Sequence, residues 1–205
     1  LGNEGYAFAN VNAAPEIDRE KRQVAFTIFV DPGRRTYVHR INVGGNVRTR
    51  DEVVRREMRQ MEGGWYDAEK INKSKQRIDR LGYFDDVQVE TQPVPGTTDQ
   101  VDVNFTVKEK PTGNLMVGAG FSSSDSVVLS GAVTQDNIFG SGKSLGLQLD
   151  TSQSKRTASL SFTDPYYTID GVSLGYDLYY RTFDPSASYN ISRYKTRSMG
   201  GGLRM

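Results

Sequence analysis

Few side chains in this sequence could make or break a bond. Gly140-Ser141-Gly142-Lys143-Ser144 carries the closing glycine, lysine and hydroxyl of a phosphate-binding loop, whose backbone N–H groups cradle phosphate ahead of a helix. The glycine that should open the loop is replaced by Asn137. Beyond Lys143, Leu145, Leu147 and Leu149 alternate with Gly146, Gln148 and Asp150 as a strand does, so the segment reads as a strand-connecting turn. His39 is the only histidine, and with no carboxylate near it in sequence it is expected to be an exposed strand residue beside Arg40 rather than a general base. Cysteine is absent, which excludes thiol nucleophiles and disulfides. Asp164 and Asp170 bracket a Pro-Tyr-Tyr stretch that supplies too few oxygens for calcium and is read as a turn with its tyrosines at an interface. Asn190-Ile191-Ser192 is a glycosylation sequon only in another type of cell. No catalytic, cofactor-binding or metal-binding residue is expected.

The elements that hold these residues change character after Gly113. From there to the end, Leu145, Leu147 and Leu149, then Ala158, Leu160 and Phe162, then Val172, Leu174, Tyr176, Leu178 and Tyr180 fall on one face of successive strands, with polar residues and glycine on the other. Strands of ~9 to 11 residues with one apolar face and aromatics near their ends suit a transmembrane β-barrel, because lipid leaves no open sheet edge unsatisfied. A soluble sandwich gives the same alternation. With 36% hydrophobic residues and a mean hydropathy of −0.57, the chain has no run suited to a helical span. A net charge of +1 argues against a dedicated nucleic-acid binder.

An internal repeat sets the domain boundaries. Leu1-Gly2, Tyr6, Phe8 and Val11, then Pro15, Asp18 and the alternating Val24, Phe26, Ile28 and Val30, parallel Leu81-Gly82, Tyr83, Phe84 and Val87, then Pro93, Asp99 and Val101, Val103, Phe105 and Val107. Residues 1–33 are therefore expected to close a module whose beginning precedes Leu1, and 34–112 to be a complete copy. Tyr37 to Val43 reads as a strand ending at Gly44-Gly45-Asn46. Thr49 and Glu52 form a capping box for a first helix striped by Val54, Met58 and Met61. Asp67 caps a second helix with Ile71, Ile78 and Leu81 on one face, and Gly82 stands at its C-terminal stop. Two strands follow, giving β-α-α-β-β.

Several of these pieces resemble one family. Arg55-Arg56-Glu57-Met58-Arg59-Gln60-Met61-Glu62-Gly63, Arg80-Leu81-Gly82-Tyr83-Phe84, Asp99-Gln100-Val101-Asp102-Val103, Gln135-Asp136-Asn137 and Thr163-Asp164-Pro165-Tyr166-Tyr167 with Asp170-Gly171-Val172-Ser173 are similar to POTRA-plus-barrel outer-membrane assembly proteins across essentially the whole chain. The resemblance implies an α+β POTRA module (34–112) after the hairpin of a preceding one (1–33), followed by the first antiparallel strands of an outer-membrane β-barrel (113–205). It implies POTRA domains in the periplasm, unfolded outer-membrane protein clients, assembly lipoproteins including BamD, a bilayer, and no enzymatic activity. It also implies a weak lateral seam at the barrel's first strand. About six barrel strands are legible, below the ~8 a single-chain barrel needs, so this segment is not expected to close by itself.

Two sets of site residues follow. The first barrel strand, Leu115, Met116, Val117, Gly118, Ala119, Gly120, Phe121 and Ser122, would offer its edge to a client strand. Gly118 and Gly120 fit either a deliberately weak seam or room for packing. The polar side of the first helix, Arg55, Arg56, Glu57, Arg59 and Gln60, fits either solvation or lipoprotein docking, with Glu57 the residue singled out. Trp65 and Tyr66 are expected to anchor domain packing.

Overall fold

Asp67 starts the long helix of the first unit. Its carboxylate accepts from the backbone N–H groups of Glu69 and Lys70 at 2.9 and 3.1 Å, satisfying donors that a helix start leaves orphaned. The helix, α2 (Ala68–Arg80), buries Ile71, Ser74 and Ile78 and stops at Gly82, whose φ of 73° is left-handed. On its exposed side Lys73 is held above the usual lysine range by its hydrogen bond to Glu69.

This computed structural model describes residues 1–19, 21–123, 126–185 and 194–205, so the sequon at Asn190 lies outside the described residues. The residues divide into two compact units, 1–47 with 51–110 and 48–50 with 111–205.

In the first unit, β1 (Asn10–Asp18) and β2 (Gln23–Asp31) form an antiparallel hairpin. After it come β3 (Tyr37–Gly44), α1 (Asp51–Arg55), α2, β4 (Phe84–Pro93) and β5 (Gln100–Glu109). The three strands form one sheet in the order β3-β5-β4, with β3 parallel and β4 antiparallel to β5. Every second residue of β5, from Val101 to Val107, is buried, and these pack with Val38, Ile41, Val53, Val54, Ile71, Ile78 and Val87 into one core. Gly45, at φ 86°, passes so close to Val107 that a side chain there would overlap its carbonyl oxygen.

The first helix departs from expectation. It is a five-residue helix rather than the two-turn stripe that Val54, Met58 and Met61 suggest. Beyond it Glu57 and Met58 bond to carbonyls only three residues back, at 3.1 and 3.0 Å, which tightens the chain and turns Met61 out to 70% exposure.

The second unit is a six-stranded antiparallel meander: β6 (Gly113–Ser122), β7 (Ser126–Gln135), β8 (Ser144–Thr151), β9 (Lys155–Asp164), β10 (Leu174–Phe183) and β11 (Thr196–Arg204), each paired with its sequence neighbours. Its registers align side chains into rows. One face carries Leu115, Val133, Leu147, Leu160 and Leu178, and next to that row Val117, Leu149, Ala158, Tyr180 and Met199. The opposite face carries Ser130, Asp150, Thr157, Arg181 and Ser198. On that polar face Arg204 grips Asp177 with two hydrogen bonds of 2.6 and 3.2 Å, and Gly200 leaves the space that the Tyr179 ring occupies. The turn after β7 is closed by Asn137, whose Oδ1 accepts from Gly142 N at 2.8 Å and whose Nδ2 donates to Thr49 Oγ1 at 2.8 Å. Lys143 meets the buried Asp164 at 2.8 Å. The phosphate-loop resemblance is thus a strand turn, as its register predicted.

Candidate functional site

The first barrel strand begins two residues earlier than expected, at Gly113, because Thr112 is tied to the end of β7. Asp136 N donates to Thr112 O at 3.1 Å, the Thr112 hydroxyl donates to Asp136 O at 2.6 Å, and Gln135 Nε2 donates to the Thr112 hydroxyl at 2.9 Å. From there β6 pairs along its full length with β7, Gly113 opposite Gln135 through Ser122 opposite Ser126. Among the described residues it has no neighbour on its other side, which leaves a row of N–H and C=O groups able to bond another strand.

Along β6, Leu115, Val117, Ala119 and Phe121 stand on the apolar face, and Met116, Gly118, Gly120 and Ser122 on the polar one. The two glycines have different causes. A Cβ at Gly118 would sit 2.6 Å from Ser130 Oγ, so this glycine makes room for the neighbouring strand. One at Gly120 would meet nothing within 4 Å, so packing inside the unit does not require it. Of these two β6 glycines, only Gly120 weakens the strand without an internal packing need.

The second predicted surface is rearranged. Arg55 and Arg59 are exposed, and Arg55 pairs with Asp51 one turn back. Arg56 is half-buried. Glu57 and Gln60 are only 4% and 3% exposed, which corrects their placement on a solvated helix face. Glu57 accepts from Arg77 of α2 at 2.7 Å, burying its charge against a partner that lies twenty residues on and is invisible to local periodicity. The Gln60 amide bonds the carbonyls of Met61 and Trp65 at 3.1 and 3.0 Å and takes the Asp67 N–H at 3.1 Å, so it organises the entry to α2. Inside this turn Ser74 Oγ accepts from Arg59 N at 2.8 Å.

Two further residues acquire partners that sequence did not offer. His39 Nδ1 lies 2.9 Å from Asp102 Oδ1, brought together by the parallel pairing of β3 and β5, where a register shift falls at His39. Trp65 stacks on Tyr37 with centroids 3.9 Å apart, and the Arg35 guanidinium covers the ring at 4.4 Å. Arg35 Nε in turn donates to Glu4 O at 2.7 Å, tying the segment before β1 to the helical module.

The chain joins a POTRA domain to an Omp85 domain: residues 36–110 match the POTRA family (surface antigen variable number repeat) and residues 137–205 the Omp85 superfamily domain. Within that class it is similar to outer membrane protein assembly factor BamA of Neisseria meningitidis, with 48% identity over the whole of this chain and 26% of the relative. BamA of Nitratidesulfovibrio vulgaris is 36% identical over 85% of this chain and 22% of its own length. A crystal structure of Haemophilus ducreyi BamA lacking POTRA domains 1–3 superposes with a TM-score of 0.87 at 38% identity, over 98% of this chain and 38% of that one. The chain thus spans about a quarter of the length of the curated relatives it matches. These likenesses place the strand unit in the bacterial outer membrane and the POTRA module in the periplasm, and set aside the soluble sandwich that alternation alone left open.

Proposed function

We propose that the chain forms part of an assembly factor that folds and inserts outer-membrane proteins. The observation carrying this reading is its whole-length similarity to assembly factors at up to 48% identity. In this reading residues 34–112 are the last POTRA domain, residues 113–205 the N-terminal barrel strands, and residues 1–33 the closing hairpin of a preceding POTRA. The hairpin's face of Val11, Ala13, Pro15 and Ile17 against Val30, Ile28, Phe26 and Val24 is apolar throughout and exposed, as a strand pair separated from its own helices would be.

The POTRA module receives unfolded clients and organises lipoproteins including BamD through Arg55, Arg56, Glu57, Arg59 and Gln60. Arg55 and Arg59 are the direct contacts, while Glu57 and Gln60 hold the surface in shape. The edge of β6, from Leu115 to Ser122, bonds an incoming client strand, so that client backbone enters lipid already paired. Only hydrogen bonds are made and broken in this activity, and it uses no cofactor.

Single cysteines at Met116, Gly118, Gly120 and Ser122, in the full-length chain with a stalled client, provide the test. Each is expected to form a disulfide with its own register position on the client's terminal strand, because opposed Cβ atoms in paired strands lie ~4.5 to 5.5 Å apart. Equal cross-linking from Gln148 on β8 would instead indicate a polypeptide passing through the lumen, the behaviour of a POTRA-barrel transporter.

A further inference from the structure

Two turns at one end of the meander hold apolar side chains out into solvent. Because the strands are antiparallel, the β7–β8 turn and the β9–β10 turn lie at the end where β6 begins, three residues after Lys110 of the POTRA unit. That is the end from which the periplasmic part of the chain enters the sheet.

In the first turn Phe139 is 89% exposed and has φ 50°. A bulky residue rarely adopts the left-handed region, and it stays there only when the surroundings over-determine it. Here they do. Ile138 N bonds Lys143 O at 2.9 Å, Gly140 N bonds Asn137 O at 3.0 Å, and Ser141 bonds Ile138 O through both its N–H and its hydroxyl, at 3.0 and 2.7 Å. Arg50 N adds a bond to Gly140 O at 3.0 Å. These bonds hold the left-handed backbone at Phe139 in place, with its ring standing out from the turn.

The second turn is built independently to the same effect. Asp164 Oδ1 accepts from Tyr166 N at 3.1 Å, Tyr167 N bonds Val172 O at 3.0 Å, and Thr168 takes Gly171 N and Val172 N at 3.0 and 3.2 Å. Gly171, at φ 84°, lies against the Tyr166 ring. Ile169 at the tip is 100% exposed, and Tyr167 beside it 58%. The Lys143–Asp164 ion pair joins the bases of the two turns.

We infer that Phe139 and Ile169 are lipid anchors that enter the headgroup–acyl boundary of the periplasmic leaflet. The apolar face that meets lipid ends, on this side, in the row of Leu145, Phe162, Tyr176 and Leu203; the Lys143–Asp164 pair and Leu174 come next on that face, at the level where charge meets headgroups, and the two turns that carry the tips spring from there. An apolar tip held rigidly at that level gains from the interface what it loses in water. Such anchoring fixes the depth at which the strands sit. It depends on the membrane location and not on strand templating.

The test uses the full-length chain in vesicles of phosphatidylethanolamine and phosphatidylglycerol, with any other cysteines replaced. A polarity-sensitive fluorophore is attached to a single cysteine at Phe139 or Ile169, and at Glu69 on exposed α2 as the aqueous reference. The expected result is quenching of the two tip probes by lipids with a nitroxide just below the headgroup, together with a roughly threefold loss of quenching by iodide relative to the Glu69 site, as burial of ~5 to 10 Å in the interface implies. Iodide quenching equal to that at Glu69 would overturn the inference. So would shielding that appears only when the assembly lipoproteins are added and comes without nitroxide quenching, since the tips would then be protein contacts.

Discussion

Replacing Glu57 with Lys sets two cations against each other where Arg77 now finds a buried carboxylate 2.7 Å away. Breaking a fully buried pair costs ~3 to 5 kcal/mol. Arg77 is 35% exposed and keeps part of its hydration, so the expected loss is nearer ~2 kcal/mol, or roughly 10 °C in the melting of the POTRA module. Thermal unfolding followed by circular dichroism checks this, with co-purification of the lipoprotein measured in parallel. Loss of the partner with an unchanged melt would make Glu57 a direct contact, and loss of both assigns it to the shape of the surface. Two glycines give a matched pair of expectations. Gly45 to Ala should abolish cooperative folding, because its Cβ would overlap the Val107 carbonyl. Gly63 to Ala, also left-handed at φ 74° but with nothing within 4 Å, should cost only ~1 kcal/mol.

At the scale of elements, the cap of α2 is shared. Asp67 Oδ1 and Asn3 Oδ1 both accept from Glu69 N, at 2.9 and 3.2 Å. Asp67 to Ala is therefore expected to cost less than the usual ~1 kcal/mol for a lost cap, and the double change with Asn3 to Ala more than the sum of the singles. Urea unfolding of the four species measures the coupling, and strict additivity would show that Asn3 does not back up the cap. That α2 was legible in sequence follows from its own residues: Asp67, Ile71, Ile78 and Gly82 lie within one periodic stretch. The barrel strands were legible for the same reason, since a period of two survives in any register. The segment after α1 was not, because Glu57 and Gln60 point inward toward partners, Arg77 and the backbone near Trp65, that no local pattern contains. His39 and Asp102 likewise meet only through a pairing of distant strands. Gly120 could be singled out in sequence, but only the empty space around its missing Cβ separates it from Gly118.

For the whole molecule, the two faces of the meander make opposite demands. An arginine at Leu147 or Leu160, in the middle of the apolar rows, should cost ~2 to 4 kcal/mol of membrane stability, whereas one at Ser159 on the polar face should be tolerated. Refolding of the full-length chain into vesicles, scored by denaturant midpoint, distinguishes them, and equal effects would mean that the faces are assigned the wrong way round. The POTRA sheet carries a different consequence, one of timing. Its central strand β5 is the last to be synthesised, and its partner β3 lies far back in the chain, as the 63-residue separation of His39 and Asp102 measures. Because the chain is delivered N-terminus first, β3 is available before the strand it pairs with. The β4–β5 hairpin can close within microseconds once β5 emerges, but the parallel pair requires closing a long loop first. Val38 and Ile41 share one core with Val101, Val103, Phe105 and Val107 of β5, so their burial is complete only when the parallel pair closes, a late step in the module's folding.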